Sequence, residues 1–186
     1  MRIWLLFVTI SFFCCGSAHA HPFKEKQVFS DITPFYKWVD VLNRMETEPE
    51  NIDNFSRIRE KYLTSSTIRK VNDFVNSYSF IDDTARWGAS DYWQTPGEFF
   101  SSGGGDCEDY AITKYAWLKT LGVNEDNMRI AVVHDRFLKT MHTLLFVDIN
   151  GKSMVLDNQE KKPESHIMEV RYEPLFSFNR NSWWLY

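Results

Sequence analysis

Two alternating apolar segments, Met141 to Ile149 and Ser153 to Asp157, flank Asn150-Gly151. That dipeptide accepts the positive φ angles of a two-residue hairpin turn at little cost. A turn of this length permits one register, with Ile149 opposite Lys152 and Leu144 opposite Asp157. Paired residues share a sheet face, as do residues two apart on one strand. His142 therefore falls on the face of Asp157 and diagonal to it, a separation that an imidazole and a carboxylate can bridge. Taken singly, a buried strand histidine and a strand-ending aspartate need no chemical role. Together, two polar residues facing each other along otherwise apolar strands supply a base and the acid that orients it. His134 and His166 lack an equally placed acid, and His21 lies near the terminus expected after removal of the leader.

A nucleophile is offered upstream, in Gly103-Gly104-Gly105-Asp106-Cys107-Glu108-Asp109-Tyr110, which runs into the helix-favouring Ala111 to Leu118. Asp106 is a good N-cap, Cys107 becomes the first helical residue, and Asp109 is the acid of a capping box. A thiol there faces unpaired N–H groups and the positive end of the helix dipole, which favour thiolate. A linker, an N-cap and a buried cysteine would give the same string. The leader weighs on this choice. Arg2, the apolar run Ile3 to Cys15 and Ala18-His19-Ala20 form a signal peptide over residues 1–20. The mature chain, 21–186, is expected to be exported as a single domain. Cys14 and Cys15 leave with the leader, and a lone thiol in an oxidising compartment is retained where it is buried or needed. Cys107, His142 and Asp157 make a workable acyl-transfer set.

The rest of the chain sets these pieces in an α+β order. Thr33-Pro34 opens a helix with Phe35, Trp38, Val39, Leu42 and Met45 on one face. Phe55, Ile58 and Tyr62 mark a second helix, and Ser66 caps a third carrying Ile68, Val71, Val75 and Tyr78. The cysteine helix presents Cys107, Ala111, Tyr115 and Leu118 along a stripe and ends near Gly122. Strands follow over Met128 to His134, Met141 to Ile149, Ser153 to Asp157, Ile167 to Tyr172 and the aromatic end Ser177 to Tyr186. The formal net charge of −4 and the absence of a basic run argue against a nucleic-acid partner.

Asp91-Tyr92-Trp93-Gln94-Thr95-Pro96, Gly104-Gly105-Asp106-Cys107-Glu108-Asp109-Tyr110-Ala111-Ile112, His142 and Val155-Leu156-Asp157-Asn158 resemble the bacterial transglutaminase-like cysteine proteinases. The resemblance runs from about Thr33 to Tyr172; Thr143 stands where alanine is expected, on the face opposite His142. It implies a papain-like, transglutaminase-type core, with Cys107 as nucleophile, His142 as base and Asp157 as orienter. It further implies a calcium-dependent periplasmic endopeptidase that cleaves a large repeat-containing adhesin near its N-terminus, at an Ala-Ala pair. The implied controlling partner is a LapD-like inner-membrane cyclic-di-GMP receptor, whose periplasmic domain sequesters the enzyme so that biofilm persists.

Calcium has a partial basis in the residues themselves. Asp106, Glu108 and Asp109 offer hard oxygen donors within one turn, too few alone for six or more ligands and not spaced as an EF-hand. They also oppose thiolate formation: a like-charge pair at 4 Å costs from about 1 kcal/mol in water to about 4 kcal/mol at surface-like dielectric. An acidic first turn that merely complements the dipole is the alternative. Trp93 and Gln94 are expected beside the site, with Gln94 or the Trp93 backbone assisting an oxyanion. Two other functions remain open for the same residues: a true transglutaminase and a non-catalytic periplasmic binding module.

Overall fold

The structure, a computed structural model, describes residues 24–48, 53–58, 63–160 and 170–186. The leader over residues 1–20, with His21, Tyr62 and His166, lies outside them. Strand β1 (Gln27–Phe29) precedes helix α1 (Tyr36–Thr47). Thr33-Pro34 form a turn closed by the Phe35 N–H on the Ile32 carbonyl (2.9 Å), so α1 starts two residues later than the proline suggests. Trp38 and Leu42 are buried as their spacing predicts, and Val41 joins them. A 3-10 turn, Asp53–Arg57, stands where a second helix is expected. Helix α2 (Ser65–Val75) is capped by Thr64 rather than Ser66: Thr64 Oγ1 accepts from the Thr67 N–H (3.2 Å), and Thr67 Oγ1 accepts from the Thr64 N–H (3.3 Å). This is a capping box built from two threonines.

The aromatic stretch before the cysteine is ordered by short elements. Strand β2 (Ser79–Phe80), helix α3 (Asp83–Trp87), helix α4 (Pro96–Ser102) and strand β3 (Gly104–Gly105) lead into helix α5 (Cys107–Thr120). Strands β2 and β3 pair in parallel, which ties the glycine run to the chain leaving α2. Helix α5 is buried on every side from Asp109 to Leu118, not along one stripe. It ends in a Schellman motif, with the Val123 N–H on the Leu118 carbonyl (3.0 Å), the Gly122 N–H on the Lys119 carbonyl (2.9 Å) and Gly122 at φ 92°.

The remaining strands, β4 (Met128–Asp135), β5 (Thr140–Ile149), β6 (Lys152–Leu156), β7 (Tyr172–Phe178) and β8 (Trp183–Leu185), join β1 in a six-stranded antiparallel sheet of order β1-β8-β7-β4-β5-β6. The hairpin turn is the expected one, with Asn150 at φ 47° and Gly151 at φ 79°, and Ile149 pairs with Lys152. Strand β7 begins where the expected Ile167 to Tyr172 strand ends; residues 161–169 lie outside the described chain. Its Pro174 cannot donate to a ladder, and the register against β4 slips there, Val132 facing Phe176 but Val133 facing Pro174.

One sheet face packs Met128, Ile130, Leu145, Val147, Leu156 and Phe178 against Trp38, Ile68 and the α5 residues Ile112, Tyr115 and Trp117. The other carries a smaller cluster of Ala131, Val133, Leu144, Phe146, Val155 and Tyr172. At about 25 cal/mol per Å² of apolar surface removed from water, the helical face is the main source of cohesion. It also pins α5, and so the position of Cys107.

Candidate active site

Cys107 opens α5, and the local chain explains why it can sit so close to β5. A Cβ on Gly104, whose φ is 146°, would lie 1.9 Å from the Ser79 carbonyl oxygen; one on Gly105 would lie 2.2 Å from Asp109 Oδ2. The two glycines thus let β3 lie against β2 and let Asp109 fold back to accept the Asp106 N–H (3.1 Å). Gly104→Ala should therefore lower the free energy of unfolding in urea by about 3 kcal/mol. A loss below about 0.5 kcal/mol would mean that the strand pairing does not hold the helix start.

Strand β6 pairs with β5 only from Leu145 to Ile149. Beyond Leu145 that edge of β5 has no ladder partner among the described residues, and there the Thr143 N–H points to the Cys107 sulfur. The thiol also donates to Glu108 Oε2 (3.2 Å). Burial pushes its pKa well up, and the Glu108 and Asp106 carboxylates push it further, against a smaller opposing pull from the Thr143 N–H. The thiolate expected from the helix dipole is thus outweighed, and the group is a thiol in this arrangement.

His142 and Asp157 share a sheet face, as the register requires. His142 Nε2 lies 2.8 Å from Asp157 Oδ1, with both residues 2% exposed. Burial alone would raise the Asp157 pKa. The hydrogen bonds from His142, Tyr172 and the Gln159 N–H overcome it and hold the carboxyl below its ordinary value. An ionised Asp157 selects the tautomer with the proton on Nε2 and leaves Nδ1 as the basic atom. Nδ1 faces the Gln159 side-chain nitrogen at 3.5 Å. Cys107 reaches the backbone next to His142, but no hydrogen bond joins thiol and imidazole among the described residues.

Acids gather on the other side of the thiol. Asp106 with Glu108 and the Cys107 sulfur, Asp83 with Asp106 and Asp109, and Asp83 with Asp91 and Glu108 each bring ligand atoms within 4.8 Å of one another. Asp83 and Asp91, from α3 and the loop after it, join the cluster in addition to the expected Asp106, Glu108 and Asp109. Burial, reinforced by Glu108, pushes Asp106 up to about 9, and burial pushes Asp109 up to about 8. Asp83 Oδ1 and Asp106 Oδ1 are buried with no hydrogen-bond partner among the described residues. Several hard oxygens, two of them orphaned, suit a hard cation.

Asp109 is the exception among the three expected ligands, because both its oxygens already bind Gln94 and the Asp106 N–H. Gln94 itself is buried, and its side-chain N–H groups go to Asp109 Oδ2 (2.7 Å) and the Gly104 carbonyl (3.3 Å). It therefore has no donor left for an oxyanion and acts as a brace between the 91–95 loop and α5. Trp93 stacks on Phe178, with ring centroids 5.7 Å apart; its indole N–H goes to Asp91 Oδ1 (2.8 Å) and its carbonyl accepts from Arg44 (2.6 Å). Arg44, which also bonds Asp40, Glu98 and Tyr92, is the unforeseen anchor of this loop.

Three solved structures of Legionella pneumophila LapG are similar to this chain, each with a TM-score of 0.57. The calcium-bound form is 29% identical over 84% of this chain and 80% of that one. The EGTA-treated form is 29% identical over 83% and 76%, and a further LapG structure 30% identical over 82% and 78%. No curated protein sequence matches. The family model of the bacterial transglutaminase-like cysteine proteinases matches residues 31–176, a span holding the thiol, the imidazole–carboxylate pair and the acid cluster. The fold is accordingly transglutaminase-like, and the chain belongs to the bacterial transglutaminase-like cysteine proteinases.

Proposed function

We propose that this cysteine proteinase is a calcium-dependent endopeptidase of the periplasm, exported by residues 1–20, that cuts a large surface adhesin near its N-terminus. The observation that carries the reading is the buried His142–Asp157 pair at 2.8 Å, placed one residue from the strand position that meets Cys107. In the proposed reaction His142 Nδ1 takes the Cys107 proton, and Sγ attacks the scissile carbonyl carbon. His142 then gives that proton to the leaving amine as the C–N bond breaks, leaving a thioester. Water, deprotonated by the same nitrogen, releases the acid and restores the thiol. Asp157 keeps the imidazole oriented and offsets its charge as it protonates. The Cys107 N–H, in the first turn of α5, has no intrahelical acceptor and is available to an oxyanion.

Asp106, Glu108, Asp83 and Asp91 would hold the cation. Bound calcium supplies positive charge that offsets the carboxylates crowding the thiol. Glu108 is at once a candidate ligand and the group that receives the thiol hydrogen bond, so a cation held there would compete with that bond. An Ala-Ala cleavage site, release of adhesin from the cell surface and sequestration by a LapD-like cyclic-di-GMP receptor complete the proposed biology.

The test is cleavage of an N-terminal adhesin fragment by the mature protein. Calcium should support turnover, excess chelator should stop it, and readdition of calcium but not magnesium should restore it. Full turnover in chelator would sink the calcium dependence. Incorporation of a labelled amine in place of cleavage would favour the transglutaminase reading, and an inert protein that still binds a partner would favour the binding module.

A further inference from the structure

We infer that Arg171-Tyr172, the dipeptide entering β7, is a positioning clamp for the His142–Asp157 pair, with Tyr172 fixing the carboxylate and Arg171 fixing Gln159 against the imidazole. The inference rests on the proposed roles of His142 as base and Asp157 as orienter.

Asp157 has two oxygens to place. Oδ1 takes His142 Nε2 and the Gln159 N–H, each at 2.8 Å. Oδ2 takes the Tyr172 hydroxyl at 2.6 Å, with Tyr172 1% exposed. Burial and the charge of Asp157 both push the Tyr172 pKa up, so the hydroxyl stays a donor. A carboxylate held at both oxygens cannot rotate Oδ1 away from the ring, and the hydroxyl bond thereby sets the direction of the His142 bond. The Tyr172 ring also lies against the imidazole, with centroids 5.7 Å apart and planes 29° apart.

Arg171 completes the arrangement from the outside. Its guanidinium sits 4.8 Å over the Tyr172 ring, its Nε donates to the fully buried Asp135 Oδ2 (2.8 Å), and its Nη2 donates to Gln159 Oε1 (2.6 Å). With Oε1 tethered, Gln159 must present its amide nitrogen to His142 Nδ1. A donor at that position accepts the ring only with Nδ1 bare, the form a general base requires. Asp135 is held in turn by the Phe137 and Leu138 N–H groups at the β4–β5 turn (2.8 and 3.1 Å). The clamp is therefore fixed at both ends, to the hairpin and to the catalytic pair.

The experiment uses Tyr172→Phe, which removes one hydroxyl, and Gln159→Glu, which keeps the Arg171 contact but replaces the donor facing Nδ1 by an acceptor. Both are compared on the adhesin fragment with wild type and His142→Ala, with calcium saturating. Each should lower kcat about 10- to 100-fold and leave KM within about twofold. The downfield Nε2 proton resonance expected for His142 in wild type should broaden or move in Tyr172→Phe. Unchanged kcat and an unchanged resonance in both variants, with His142→Ala inactive, would overturn the clamp and leave the proteinase reading standing. Wild-type turnover by His142→Ala would instead overturn the proposed role of His142 as base, on which the clamp rests.

Discussion

Alanine at Cys107 is expected to abolish cleavage of the adhesin fragment, and alanine at His142 to lower kcat/KM by about ten-thousand-fold or more. The thiol is half-buried and its pKa is raised by desolvation and by the Glu108 and Asp106 carboxylates, so without a base to remove its proton little thiolate is expected at neutral pH. His142 is the proposed base, and its ring is oriented by Asp157 at 2.8 Å. In the proposed mechanism the two residues act as one unit, so the Cys107→Ala/His142→Ala double variant should be no slower than the worse single variant. Steady-state kinetics on all three proteins, with calcium present, checks this. Losses that multiply would mean that the residues act in separate steps, and the shared-unit mechanism would fail. Asp157→Asn should be the milder lesion in rate. It should cost more in thermal stability, because an amide cannot accept all three donors now shared by its oxygens.

The parts of this site that were legible in the sequence are those whose geometry is set locally. Asn150-Gly151 imposes a register, and a period of two then places His142 beside Asp157 with no knowledge of the rest of the fold. Asp106, Cys107 and Asp109 could be placed because helix caps follow short spacing rules. Three kinds of fact were not legible. Asp83 and Asp91 approach Glu108 only through the packing of the 80–102 segment, which carries no periodic signal. Tyr172 and Arg171 end an expected strand, but their approach to His142 and Asp157 depends on the pairing of β7 with β4, a long-range register that no turn or local spacing sets. The burial of α5 on all faces, Lys114 included, follows from its central place between the other helices and the sheet, and the sequence stripe through Cys107 describes only one of its sides. Gln94 shows the reverse error: a polar residue near a nucleophile invites a catalytic role, yet its hydrogen-bonding capacity is spent on bracing Asp109.

In chelator, the melting temperature should fall as pH rises from about 4 to about 8, and added calcium should reverse the fall by an amount that grows over the same range. The sign follows from half-buried Asp106 and buried Asp109. Asp106 and Asp109 ordinarily titrate at 3.8, but burial, joined for Asp106 by the Glu108 charge, takes them to about 9 and about 8. Between those values the folded chain holds protons that the unfolded chain has released. Stability is therefore fully present below the unfolded carboxyl pKa and drains away as pH climbs to the folded one. Asp157 acts oppositely: its folded pKa is lowered, so its contribution is present above the unfolded value and is lost on acidification through the folded value. The two trends place the stability maximum of the cation-free protein at mildly acidic pH. Calcium requires the deprotonated carboxylates, so its affinity should rise as the cation-free fold weakens. At a hundredfold excess over Kd the stabilisation is about 2.7 kcal/mol, or about 5 to 10 °C for a chain of this size. Differential scanning fluorimetry across pH 4 to 8, with chelator, calcium and magnesium arms, reads this directly. Asp106→Asn should weaken the pH dependence in chelator, leaving the part due to Asp109, and should remove most of the calcium shift, because Asp106 contributes to both. A calcium shift of equal size at every pH would show that the ion binds elsewhere than among these acids.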